Sequence, residues 1–406
     1  MRLTALSGLV PDPAGFLAAP PRRPAIWSLP APPPFCLADV DALLDHGSLH
    51  RQMVSVVTDG RRVPGGTYTW SGRPVQPGFA DVVRPARLTT LLRDGSTVVL
   101  ESLHRTWPPV GDLCRRLSWE TGLPVGANAY LTPAGSQGFA HHHDTHAVLI
   151  VQTSGSKTWQ VHAPVLTDPL EHQPFRAERV SDADWARLRH GTPQLETVLR
   201  VGDALWIPRG WVHNGFATDE HSLHLSLAFP ALTGHWIATQ LLARLDAVEE
   251  LRAEVPWGFC ADPRLRARAV ATTVAQLRAA LNSLDPAADA EVMADAYRRF
   301  FLEPRTPAAT AAILPGLAED TPVRTVAEAV CGVTALDGGG LRLHLGAFTV
   351  EFEEPAAAVV AALLTADDPE PWCAADLVPG LDAADATELV TDLVRIGVAR
   401  PATAGT

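Results

Sequence analysis

The stretch NAYLTPAGSQGFAHHHDTHAVLIVQTSGSKTWQVHAP, residues 128–164, decides how this chain is to be read. It sets short runs of β-branched and aromatic residues, NAYLTP, AVLIVQ and KTWQVH, between segments rich in Gly, Ser and His. Such text reads as strands, and the Ser154-Gly155-Ser156 triplet between the last two reads as the tip of a hairpin. In the connection, His142 and Asp144 are two residues apart, so in an extended backbone both side chains leave on one face. A metal there needs a third ligand from elsewhere. His213 is the leading candidate, because it follows a further strand, ALWI at 204–207, and a Pro208-Arg209-Gly210 turn. Two histidines and one carboxylate on one side of a metal leave its other positions open, the arrangement of non-haem Fe(II) oxygenases.

Each residue alone has a plainer explanation. Histidine runs occur in surface loops, a single His after a turn is commonly a hydrogen-bonded structural residue, and a strand Lys is ordinarily solvated. Together they are more specific. Lys157 lies fifteen residues after His142, early in the second of the two strand runs. An oxygenase of this type that uses 2-oxoglutarate needs a buried cation for the far carboxylate, and a Lys on a neighbouring strand can supply it as a charge-assisted hydrogen bond.

The same stretch resembles the core of the JmjC-type cupin oxygenases of the ribosomal oxygenase group. Their usual form is close to NxYLTPPxSQGFxxHxDxHxxFxxQxxGxKxWxVxxP, with a later PRGxxHxA. Position by position, the resemblance implies that His142, Asp144 and His213 hold Fe(II) and form the catalytic centre, and that Lys157 binds the C5 carboxylate of 2-oxoglutarate. Asn128 and Tyr130 match positions lining the same pocket. His146 falls on the ligand face and reads as a neighbour of the metal site or a substrate-facing group, while His141 and His143 are not implied as ligands. Ser226, on the strand run 222–229, borders the expected pocket. Ser154, Ser156 and Asn214 depart from the usual pattern, which leaves the chemistry intact and the substrate open.

Working outward, 406 residues suggest two or three domains. The net charge of -12 excludes a global basic field for nucleic acid, although an acidic enzyme can still attract a basic protein. Cys36, Cys114, Cys260, Cys331 and Cys373 are odd in number and form no CxxC pair, so neither a disulfide framework nor a zinc cluster is expected and the cytoplasm is the expected compartment. Pro11, Asp12 and Pro13 interrupt the apolar start, so no secretory leader is expected, and no apolar run reaches membrane-spanning length.

The chain divides by its language. Residues 1–36 are a Pro-rich lead-in, and 37–230 are mainly strands, interrupted by helical periodicity at LADVDALLDHG and VGDLCRRLSWETG. A double-stranded β-helix, the jelly roll or cupin barrel, fits this region. Residues 231–303 turn to long Ala-rich helices; by themselves they read as a helical cap on the barrel, the resemblance implies a helical dimerisation region, and Trp236, Tyr297, Phe300 and Phe301 suit either. A Pro/Thr-rich joint at 304–322 leads to 310–406, where LRLHLGAFTVEFEE reads as a two-stranded ribbon and three short helices follow, a pattern resembling a winged helix. Its recognition-helix position, 382–396, carries four acids against one Arg, so DNA is not an expected partner. The expected fold class is therefore α+β, a cupin barrel followed by a helical dimerisation region and a winged-helix-like module.

The function this reading implies is an Fe(II)- and 2-oxoglutarate-dependent hydroxylase. The resemblance implies a protein substrate, a His or Arg side chain of a ribosomal protein being the leading version. A peptide or small metabolite stays open as substrate, and so does a reading of another class, a non-catalytic cupin scaffold.

Overall fold

A computed structural model describes residues 3–31, 34–70, 81–301, 316–326, 329–330, 332–345, 348–366, 370–378 and 380–402. It falls into two compact units, one formed by Met1–Ala231 with Arg305–Ala329 and Val359–Thr406, the other by Leu232–Pro304 with Val330–Ala358.

Nine strands of the first unit make one sheet: β1 Ala25–Ser28, β2 Val54–Thr58, β3 Arg61–Arg62, β4 Thr97–Leu100, β5 Gly126–Thr132, β6 Ala147–His162, β7 Leu195–Leu199, β8 Asp203–Ile207 and β9 Val212–Phe229. The order is β1-β8-β6-β9-β5-β4-β2-β3, with β7 also on β6. Two strands dominate. β6 and β9 pair antiparallel from Ala147↔Phe229 to His162↔Val212, while β6 gives its first half to β8 and its second half to β7. The Pro-rich lead-in contributes β1, which pairs with β8.

The expected hairpin at Ser154-Gly155-Ser156 does not form. β6 runs through as one strand of 16 residues, with register shifts at Gln152/Ser154 and Gly155/Lys157 where it passes β9. The physical reason is that a hairpin tip and a β-bulge ask for the same residue. Gly155 has φ +62°, and a Cβ there would run into the His221 carbonyl, so only glycine fits. What decides between turn and bulge is the partner, and β9 continues beside β6 on both sides of Gly155. Lys157 therefore sits on the same strand as Val148, beyond the bulge.

Both faces of β6 are buried, which explains its continuous apolar run AVLIV. Leu149 and Val151 join Ala127, Ala129, Ala204, Trp206, Leu223, Leu225 and Leu227 in the main core, against Val110, Leu113 and Leu117 of the helix Pro108–Thr121. Val148 and Ile150 point the other way, into a smaller cluster with Trp159, Val161, Leu199, Leu205 and Ile207. Burying a Leu of the first kind contributes roughly 1.5–3 kcal/mol. The helix starts with Pro at its first turn and ends at Gly122 in the left-handed region, φ +69°. Near its end the buried Glu120 carboxylate accepts from Ala5 N–H (2.7 Å) and Leu6 N–H (2.8 Å), fastening the N-terminal segment.

Elsewhere in that unit Val323–Thr325 pairs with Ala399–Pro401, and the helix Ala383–Arg395 is capped by Asp382, which accepts from Asp385 N–H at 2.8 Å. Of the three short helices expected after the ribbon, the middle one is only a 3-10 turn, Ala374–Leu377. The second unit holds the helices Gly234–Arg244, Pro263–Asn282 and Pro286–Phe301, tied by an Arg244–Asp289 ion pair at 2.9 Å and an edge-on Trp236–Tyr297 contact. The side chains of Phe300 and Phe301, Cys331, and residues 304–315 of the Pro/Thr-rich joint lie outside the described residues. The expected two-stranded ribbon over 341–354 gains a third strand, giving the sheet Gly332–Ala335, Leu341–Leu345, Phe348–Phe352.

Candidate metal and cosubstrate site

The pocket opens on the face of the sheet that carries Val148 and Ile150. Alternation along β5 and β9 puts Tyr130 opposite His224 and Asn128 opposite Ser226, and β6 brings Ile150 against Ser226. The cavity holds about 440 Å³ including its open mouth, and its wall includes Tyr130, Phe139, Trp159, Asn214, His224 and Ser226. His142, Asp144, Lys157 and His213 all reach it as well.

His142 and Asp144 lie in the extended connection before β6, and His213 is the second residue of β9. The connection is docked by a mutual backbone pair, His213 N–H to His142 C=O at 2.8 Å and His142 N–H to His213 C=O at 3.2 Å. One donor atom from each of His142, Asp144 and His213 lies within 4.8 Å of the others. His213 Nε2 is 3.7 Å from Asp144 Oδ2, and the two imidazole centroids are 4.4 Å apart. Both rings are oriented by backbone carbonyls, His142 Nδ1 donating to Ala140 O (2.8 Å) and His213 Nδ1 to Trp211 O (3.0 Å). A carbonyl only accepts, so each Nδ1 carries a proton and Nε2 is the nitrogen left for a ligand role. Burial first, then His142, pushes the buried His213 down to about 4, which keeps the ring neutral. Burial alone would raise Asp144, but His142, His213 and His146 outweigh it and hold the carboxyl below its ordinary range. Two imidazoles fixed through Nδ1 and one ionised carboxylate suit a divalent transition metal with positions left open.

Lys157 forms the other end. It is 2% exposed, and its Nζ donates to Thr132 Oγ1 at 3.1 Å and stands 5.4 Å from the Trp159 ring centroid. Among the described residues no carboxylate pairs with it, and burial brings its ammonium down to about 7. Gly138 and Gly215 flank the stem; a Cβ on Gly215 would press Lys157 Cε at 3.0 Å, and one on Gly138 would stand 3.2 Å from Nζ. A buried cation without a counter-charge, in a slot kept open by two glycines, fits an anionic ligand.

The remaining expected residues divide. Tyr130 and Ser226 line the cavity, while Asn128 and His146 are not part of its lining. Asn128 is on the same strand face, but its Oδ1 accepts from Ser102 N–H at 2.8 Å. His146 is close enough to act electrostatically on Asp144 and His213 without joining the ligand group. His143 turns away and packs on Phe175. Thr132, Trp159 and His224 escaped sequence reasoning. The alternation in SLHLSLAF could have found His224, because it places this residue on the same face as Ser226.

Residues 110–236, less than half of the chain, match the family model of the JmjC domain. The chain is similar to ribosomal oxygenase 1 of Gallus gallus, 32% identical over 195 residues, 48% of this chain and 30% of that one. It is also similar to the bifunctional lysine-specific demethylase and histidyl-hydroxylase NO66 of Drosophila persimilis, 38% identical over 117 residues, 29% of this chain and 16% of that one. The chain thus spans less than a third of these curated relatives' length. Among solved structures, Escherichia coli YcfD shares the fold at 15% identity, with a TM-score of 0.53 over 97% of this chain and 98% of that one. YcfD, a ribosomal oxygenase, has also been solved with cobalt and 2-oxoglutarate; there the TM-score is 0.50 at 15% identity over 93% of this chain and 94% of that one.

Proposed function

We propose that this protein is an Fe(II)- and 2-oxoglutarate-dependent hydroxylase of a protein side chain, a His or Arg of a ribosomal protein. The observation that carries the reading is one pocket holding both the His142/Asp144/His213 donor group and, beyond it, a buried Lys157 with no carboxylate partner among the described residues. The names of the relatives, ribosomal oxygenase and histidyl-hydroxylase, support a protein substrate.

His142, Asp144 and His213 would hold the iron, and Lys157 with Thr132 would hold the far carboxylate of 2-oxoglutarate, with Tyr130 as a further contact and Asn128, outside the lining, as a support of the strand. When bound, iron and 2-oxoglutarate supply the oxidising chemistry that places one oxygen atom of O2 on a C–H bond. The chain's own part is to position and to exclude water. Ala140 and Trp211 carbonyls fix both imidazoles, Phe139 and Trp159 dry the wall, and Tyr130 and Ser226 offer hydroxyls to the occupant. His146, beside the ligands, would tune them or face substrate.

The three helices between 231 and 303 leave Ile237, Leu242, Val270, Val274, Leu281 and Val292 exposed, which supports a homodimer made through that region. The proposed division is a lead-in at 1–36, a catalytic domain at 37–230, a pairing region at 231–303 and a winged-helix-like support module at 310–406. No described helix is long and apolar enough to cross a membrane; the proposed place of work is the cytoplasm.

The test is anaerobic Fe(II) loading, then addition of 2-oxoglutarate, O2 and ribosomal proteins, with succinate and the protein masses measured by mass spectrometry. Succinate formation and a mass gain of one oxygen on a ribosomal His or Arg are expected. Tight iron binding without 2-oxoglutarate turnover would sink the reading in favour of a metal-binding scaffold, and oxygen gain on a peptide or metabolite alone would change the substrate.

A further inference from the structure

His224 stands in the pocket wall with nothing to do. It is 1% exposed, sits on β9 opposite Tyr130 of β5 and Gln152 of β6, and stacks flat on the Tyr130 ring at 4.8 Å and 2°. Trp159 meets it edge-on at 5.3 Å, and the same indole lies 5.4 Å below the Lys157 Nζ. Its Nδ1 is sealed in the wall without a hydrogen bond. Nε2 has no protein partner among the described residues either, and belongs to a side chain lining the cavity. A Phe or Leu would fill this place without leaving polar nitrogens unpaired in a dry wall, so the imidazole needs an occupant to explain it.

We propose that His224 is a binding group for 2-oxoglutarate, donating from its pocket-facing nitrogen to the far carboxylate that Lys157 also holds. This rests on the hydroxylase reading of the site. Geometry supplies the argument. Tyr130 and Trp159 clamp the ring on two sides, so its orientation is fixed before any ligand arrives and little freedom is lost on binding. One carboxylate has two oxygens and about four lone-pair sites, more than Lys157 and Thr132 can fill. Burial first, then Lys157, holds His224 well below its ordinary pKa, so in the empty pocket it is a neutral N–H donor rather than a second charge. Among the described residues, Tyr130 from β5, Lys157 from β6 and, at the metal end, His142, Asp144 and His213 are the other titratable groups lining this pocket, and of these Lys157 brings a positive charge to the same end.

The experiment is calorimetric titration of full-length protein, loaded anaerobically with Mn(II), with 2-oxoglutarate and with 2-oxopentanoate, which has the same carbon chain but lacks the far carboxylate. His224→Phe keeps the stack and removes the donor. Its 2-oxoglutarate Kd should rise roughly 10–100-fold, the loss of one hydrogen bond to a charged group, while the 2-oxopentanoate and Mn(II) affinities hold. His224→Gln, which restores an N–H, should recover part of the loss. An unchanged 2-oxoglutarate Kd, or equal losses for both acids, would overturn the proposal, since His224 would then only shape the wall. Loss of Mn(II) binding in both variants would overturn it in the same way. Failure of the unaltered protein to bind 2-oxoglutarate at all would remove the hydroxylase reading itself, and this proposal with it.

Discussion

The two ends of the pocket are built on opposite plans. At the metal end three donors converge, and backbone carbonyls and a backbone hydrogen-bond pair hold the imidazoles in place, so the site is finished before anything binds. The Lys157 end is a charge sealed among Trp159, Gly138 and Gly215 with a hydroxyl as its hydrogen-bond partner, so it stays electrostatically unsatisfied until an anion arrives. One end is preorganised by hydrogen bonds and the other is poised by desolvation. Changes at the first should therefore act all or none, and changes at the second should be graded.

The largest effect is expected from the metal end. His142→Ala, Asp144→Ala and His213→Ala should each abolish turnover and iron binding while melting near the unaltered protein, because three ligands act as one unit and the cores around them are apolar. Near-native succinate production by Asp144→Ala would break the comparison at its base.

Next comes Lys157→Ala. Removing the partner of a buried carboxylate costs on the order of 2–5 kcal/mol, so the 2-oxoglutarate requirement should rise roughly thirtyfold to several thousandfold with iron affinity nearly untouched. Arg at this position should rescue part of it. Parallel losses of iron and 2-oxoglutarate in a titration of both would mean that the two ends are not independent.

The poised charge should also be visible without ligand. Lys157 falls from 10.5 to about 7 in the folded protein. Between those values the unfolded chain holds a proton that the folded chain does not, so this group makes stability rise with pH across that window and is most costly below about 7. Lys157→Met should melt higher than the unaltered protein near pH 7, and the gap should close toward pH 10.5. Melting curves with parallel pH slopes for the two proteins would show that the cation is not strained.

The smallest expectation is none at all. Asp382, Asp385, Glu388 and Asp392 against Arg395 on and beside the helix Ala383–Arg395 oppose a phosphate backbone, so the full chain should not shift duplex DNA at low salt. Micromolar binding there would reopen a regulatory role for the 310–406 module.

The metal end was legible in the sequence because ligand identity and spacing survive any detail of strand pairing. His142 and Asp144 share a face in any extended backbone, and a turn of the Pro208–Gly210 kind points onward to His213. The pairing was less legible. Ser154-Gly155-Ser156 says that a positive φ occurs at Gly155 but not whether the chain reverses there, since that depends on β9, more than fifty residues later. His224 was hidden for a different reason, because a single His within an apolar alternation is indistinguishable from a core residue until its neighbours and its missing hydrogen bonds are known. The third strand at Gly332–Ala335 was overlooked because GVTA is too short and too exposed to show alternation.

The mutual hydrogen bonds between His142 and His213 also set an order of events. They join positions separated by 71 residues in the sequence, so the donor group comes into existence only when β6 and β9 have zipped along their length, a contact of high sequence separation and hence of slow closure. Metal capture must follow that closure and cannot guide it. Refolding in stopped-flow mixing should proceed at the same rate with or without Mn(II), with the metal slowing only the unfolding limb; faster refolding with metal present would mean that His142, Asp144 and His213 meet before the strands do.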